Sequence, residues 1–166
     1  SVVESVAFAR QIAAGLAAAH ERGLVHRDIK PANIWLEQPA DAASMPRVKI
    51  LDFGLARSWD TDAAQITQSG MIVGTPAYMA PEQAASQPLD ARADIFSLGA
   101  VLYRMLTGNS PFARGSTLAT LSALAVETPK PPRDLAPEVS GELSDLVLAL
   151  LAKQAGERPA SARQVS

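Results

Sequence analysis

Within six positions, the stretch HRDIKPAN (residues 26–33) sets out a carboxylate, Asp28, an ammonium, Lys30, and a neutral amide, Asn33. A second carboxylate, Asp52, opens the triplet DFG 19 residues after Asn33. A surface turn can hold such residues by accident, since Asp, Asn, Gly and Pro all suit turns. A site that handles a phosphate and a metal ion needs them. The acceptor takes a proton, the ammonium meets phosphate charge, and the amide and carboxylate offer the hard oxygens that Mg²⁺ prefers.

Such groups act together only if the surrounding elements hold them. From Val2 to Arg22 apolar residues recur at near-helical spacing, and Gly23 stands where a helix C-cap belongs. The spacing predicts a helix leading into the motif. LVH (24–26) and IWL (34–36) are too short for helices and read as small strands flanking it. QPADAASMP (38–46) reads as a polar loop, and RVKIL (47–51) as a β-branched strand running into DFG. Residues 56–74 carry no sustained period and read as a long surface loop. A helix apolar nearly all round, which predicts central burial, runs from Asp90 or Arg92 to Thr107. Further helices are expected over Leu118–Val126 and, capped by Ser140, over Gly141–Lys153, joined by the Pro-rich TPKPPRDLAP (128–137). Ser161 and Gln164 form a capping-box pattern that announces another helix.

The chain has 166 residues, 48% hydrophobic and 19% charged, with a formal net charge of −2. This suits one domain with a sizeable core. The mild acidity argues against a general nucleic-acid binder. With no cysteine, disulfides and thiolate metal sites are excluded, which fits a reducing compartment. Glu4, Arg10 and Gln11 interrupt the first apolar run, so no membrane segment or signal peptide is expected there.

Four motifs follow one another in order: HRDIKPAN (26–33), DFG (52–54), GTPAYMAPE (74–82) and DIFSLG (94–99). Together they resemble the C-terminal lobe of eukaryotic-like Ser/Thr protein kinases, nearest to the bacterial branch, over almost the whole chain. The fold implied is mainly α with a few short β-strands. The resemblance implies a partial kinase domain over 1–166, from the helix before the catalytic loop to the start of the last helix.

The activity implied is transfer of the γ-phosphate of ATP, with Mg²⁺ (or Mn²⁺), to Ser/Thr hydroxyls of a protein substrate. By this resemblance Asp28 is the catalytic base, Lys30 meets the transferred phosphate, and Thr75 bridges Asp28 and Lys30. Asn33 and Asp52 hold the metal, and Lys30, Asn33, Trp35 and Asp52 contact the nucleotide. Arg27 would receive a phosphate on the loop at Thr67 or Ser69, with Thr61 a further candidate. Glu82 and Arg158 would form a buried ion pair, and Asp94 would hold backbone N–H groups of the catalytic loop. A cytoplasmic location is implied, with the cytoplasmic part of a membrane-anchored kinase as the alternative.

Two departures stand out. The connection between Asn33 and Asp52 is longer than is usual, and Trp35 replaces the branched aliphatic residue expected beneath adenine, where an indole could stack or crowd. The Gly-rich loop, its partner Lys and the helix Glu of the family have no counterpart in 1–166, so the family's N-terminal lobe is expected upstream. The 166 residues alone are expected to bind MgATP weakly and to transfer no phosphate. A non-catalytic, kinase-like scaffold is the alternative, disfavoured because a scaffold has no need of Asp28, Lys30, Asn33 and Asp52 together.

Overall fold

The computed structural model describes residues 1–41, 44–53 and 76–166. Helix α1, Val2–His20, begins on a capping box in which Ser1 and Glu4 each satisfy the other's backbone N–H. Its stripe Ser5, Ala9, Ile12, Ala13, Leu16 and Ala19 is buried. Gly23, at φ 73°, turns the chain away in the left-handed region that glycine enters without strain. By length and composition α1 could cross a membrane. Here its buried stripe packs against the helix Arg92–Thr107, as a core helix does.

Strands β1 (Ile34–Glu37) and β2 (Arg47–Ile50) form an antiparallel pair, with Ile34 opposite Ile50 and Trp35 opposite Lys49. Two strands alone are marginal in water. Helix α1 supports them: Gln11 accepts from the Val48 N–H (2.9 Å) and donates to the Pro46 carbonyl (3.2 Å). One amide thus docks the edge of β2 on the helix.

The remaining helices are α2 (Pro81–Ala84), α3 (Arg92–Thr107), α4 (Thr117–Val126), α5 (Pro132–Leu135) and α6 (Gly141–Leu150). Helix α3 is the axis of the core and is buried on nearly every side, from Ala93 to Tyr103 and again at Leu106. It touches α1 on one side and α5 and α6 on others. At Gly99 a Cβ would lie 2.7 Å from the Leu150 Cβ, so the approach of α6 to α3 requires glycine. Each large aliphatic or aromatic side chain fully buried around this axis contributes about 1.5–3 kcal/mol.

Among the described residues the architecture is mostly helical with one small two-stranded sheet, as the motif pattern implies. Three local expectations are corrected. Leu24–His26 forms no strand, because the His26 and Arg27 N–H groups go to a side-chain carboxylate instead of a ladder. Helix α6 ends at Leu150 rather than Lys153, and the carbonyls of Ala152 and Lys153 accept from the Arg158 guanidinium. The expected helix after Ser161 is one 3₁₀ turn, Ala162–Gln164; Gln164 accepts from Ala160 N–H, but Ser161 makes no cap bond.

Candidate active site

Asp94, on the first turn of α3, has a fully buried carboxylate that takes three donors. These are the backbone N–H groups of His26 (2.8 Å) and Arg27 (2.7 Å), and the His20 ring at 2.8 Å. A buried carboxylate must be paired to be tolerated, and here the pairing fixes the 26–33 loop on the core helix. Arg27 sits at φ 69° and Asp52 at φ 55°, both in the left-handed region that side chains disfavour. Such strain persists only where surrounding contacts over-determine it.

His26 supplies more of those contacts. A backbone N–H can only donate, so His26 Nδ1 is an acceptor for Asp28 N–H (3.2 Å) and the ring hydrogen lies on Nε2. Nε2–H then donates to the Leu51 carbonyl (2.8 Å), joining the loop to the end of β2. The edge of the buried His26 ring meets Phe53, with centroids 4.8 Å apart. Leu51 N–H bonds the Asn33 carbonyl (2.9 Å), which draws Asp52 to the same mouth of the sheet as Asn33.

At that mouth, Lys30 Nζ stands 2.8 Å and Asn33 Nδ2 3.0 Å from the same oxygen, Oδ2 of Asp28. Asn33 also donates to the Asp28 carbonyl (2.8 Å), so its amide hydrogens both serve Asp28 and its Oδ1 is the atom left to face a cation. The Asp28 side chain remains 51% exposed. Convergence on Oδ2 leaves Oδ1 as the outward acceptor. Asp52, the next residue after Leu51, is exposed. No group of three or more His, Cys, Asp or Glu forms a ready metal cage among the described residues. One amide and one carboxylate fit Mg²⁺ that takes its other oxygens from phosphate and water. Trp35 is 59% exposed on β1, with Leu36 and Leu51 also exposed.

The Arg158 side chain, by contrast, is fully buried. It forms a two-pronged pair with Glu82 at 2.6 and 2.8 Å, and spends its other N–H groups on the carbonyls of Ala152, Arg92 and Lys153. Its guanidinium covers Phe96, Phe96 stacks on Phe112, and Lys153 Nζ covers the other ring at 3.8 Å. Burial, helped by the positive Arg158 and opposed by Glu127, pushes Lys153 down to about 8.

Asp28, Lys30 and Asn33 are therefore brought together, with Arg27 adjoining them in the loop and Asp52 following Leu51, whose N–H bonds Asn33. Trp35 stands on the neighbouring strand, and Glu82, Asp94 and Arg158 are structural anchors. Thr75, Thr67 and Ser69, with Thr61 and Gly54, lie outside the described residues. Sequence reasoning overlooked Gln83, whose amide reaches Arg27, and Ser97, which donates to the Tyr78 carbonyl at 2.8 Å. It assigned no role to His20, whose ring meets Asp94. None of the three carries a spacing signal, because each acts on a residue distant in sequence.

The family model described as "Protein kinase domain" matches residues 3–166. Serine/threonine-protein kinase Pkn1 of Myxococcus xanthus is 45% identical over 156 residues, 94% of this chain and 22% of that protein. The DNA damage-responsive serine/threonine-protein kinase RqkA of Deinococcus radiodurans is 44% identical over 142 residues, 86% and 20% of the two chains. Serine/threonine-protein kinase PknB of Mycolicibacterium smegmatis is 39% identical over 146 residues, 88% and 22%. The chain thus spans about a fifth of the length of these curated relatives.

Proposed function

We propose that this chain, which belongs to the protein kinase family and is of the bacterial Ser/Thr type, is the C-terminal catalytic lobe of such an enzyme, with its site at Asp28. The observation that carries this reading is the convergence of Lys30 and Asn33 on one oxygen of a half-exposed Asp28 carboxylate. The other oxygen, Oδ1, accepts or orients the proton of an incoming Ser or Thr hydroxyl. Lys30, paired with Asp28 at 2.8 Å, would turn its ammonium to the transferred phosphate when ATP is bound. Asn33 Oδ1 and the Asp52 carboxylate would hold Mg²⁺ (or Mn²⁺), which neutralises phosphate charge when bound. Trp35 offers an apolar face to the adenine of ATP. Thr75 as a bridge between Asp28 and Lys30, and Thr67 or Ser69 as phosphate acceptors that pair with Arg27, complete the reading on sequence grounds.

The chemistry asks little covalent work of the protein. Phosphoryl transfer is accelerated mainly by positioning and charge stabilisation. That suits a loop whose backbone is fixed by Asp94 and His26 while the Asp28 carboxylate stays half-exposed. The test is to supply the intact protein that carries this chain with radiolabelled ATP, Mg²⁺ and peptides differing only in a Ser, Thr or Tyr acceptor. Label on the Ser and Thr peptides and none on Tyr is expected. Nucleotide binding without label on any peptide would replace this reading with the scaffold.

A further inference from the structure

The peptide bond between Arg27 and Asp28 is held on both sides. Its N–H, that of Asp28, donates to His26 Nδ1 (3.2 Å), and its carbonyl, that of Arg27, accepts from Gln83 Nε2 (2.8 Å). The preceding peptide is held by Asp94 through Arg27 N–H (2.7 Å). Between these two planes lies the left-handed Arg27, so neither plane can rotate without relieving its strain and redirecting the next side chain, Asp28.

Gln83 is suited to this task by composition and by mounting. Its Oε1 accepts from Ala80 N–H (3.0 Å), which fixes the amide the right way round, because Ala80 N–H can only donate and the Arg27 carbonyl can only accept. Asn would be too short, Glu cannot donate when ionised, and Lys cannot accept from Ala80. The preceding residue, Glu82, is clamped by the buried Arg158. Gln83 therefore stands on a part of the molecule that does not yield.

We infer that Gln83 is a positioning residue for phosphoryl transfer, setting the Arg27–Asp28 peptide plane and thereby the aim of the Asp28 carboxylate. The role rests on the kinase reading above, and it links the helical base to the catalytic loop in a single hydrogen bond. Gln83→Met keeps the shape and removes both polar atoms. Gln83→Glu keeps the acceptor for Ala80 and replaces the donor to Arg27 by an anionic oxygen that repels its carbonyl.

The test compares both variants with the wild-type intact protein, in steady-state kinetics with MgATP and a Ser peptide and in thermal unfolding. Misaiming a catalytic group by about 1 Å costs on the order of 10²-fold. Both variants are expected to lose between about 10- and 100-fold in kcat, with KM for ATP and peptide held within about 3-fold. Arg carbonyl ¹³C with Asp amide ¹⁵N labelling reports the peptide itself, since Arg27–Asp28 and Arg133–Asp134 are the Arg–Asp pairs within 1–166. The Arg27–Asp28 signal should shift in both variants, while Arg133–Asp134 serves as the control. An active wild type with Gln83→Glu turning over equally fast would overturn the role. So would a loss of kcat with the Arg27–Asp28 signal unmoved. A wild-type protein that transfers no phosphate would instead overturn the proposed function, and this role with it.

Discussion

Arg158 and Asp28 each have an ion-pair partner, but their surroundings differ in almost every other respect. Arg158 is fully buried and spends its N–H groups on a carboxylate and three carbonyls. Asp28 is half-exposed, shares one oxygen between Lys30 and Asn33, and follows a strained backbone residue. In the base, every contact is made within the chain. At the loop mouth, the His26, Arg27 and Asp28 N–H groups are held by side chains, and the Asp28 carboxylate stays half-exposed. A site that must accept a ligand can afford open side chains only because the backbone beneath them is fixed elsewhere.

The contrast breaks most visibly at the base. Arg158→Met leaves Glu82 without its partner, and removing one member of a buried pair costs about 3–5 kcal/mol. For a domain of this size that lowers the unfolding midpoint by roughly 6 °C or more, read by circular dichroism. A midpoint within about 2 °C of wild type would mean that the pair is not what secures α2.

A smaller effect is expected at Lys153. Its amine is held near 8 when folded and returns towards 10.5 when unfolded. Between these values the unfolded chain binds more protons, so stability contributed by this group rises with pH, and is lost as pH falls towards 8. Above about 10 Tyr103 opposes this trend, because burial raises its phenol and the unfolded chain ionises first. Denaturant titrations at pH 8 to 10 should therefore show a positive slope that Lys153→Met flattens. An unchanged slope would remove Lys153 from the account.

The smallest stability change belongs to Trp35. Being exposed, it should give up no more than about 0.5 kcal/mol in Trp35→Ala. Calorimetry on the intact protein should nevertheless show weaker MgATP binding, since an indole face can stack on a purine. Unchanged affinity with a loss above about 1 kcal/mol would make Trp35 an anchor of the sheet instead.

The elements that the sequence makes legible are those with a long period or a sharp boundary. Helix α3 starts at Arg92 and ends at Thr107 as expected, because its apolar positions recur over four turns and Gly108 ends it. Strands β1 and β2 fall within a residue of their expected places. The single-turn helices α2 and α5 pass unnoticed, since each opens on a proline that also signals a loop. For the site, side chains close in sequence were legible as a motif. The clamp formed by His20, Asp94 and Gln83 joins residues more than 50 positions apart, and of these only Asp94 was reached, through the family resemblance. Local spacing carries no record of such contacts.

The proposed transfer rests on the carboxylate at the loop mouth. In Asp28→Asn the side chain keeps its volume and loses its acceptor, so folding should be preserved while transfer is not. Phosphate transfer from radiolabelled ATP to a Ser peptide, measured on the intact protein with matched unfolding midpoints, should fall by about 10²–10⁴. Wild-type turnover in that variant would contradict the assignment of Asp28 as the catalytic base.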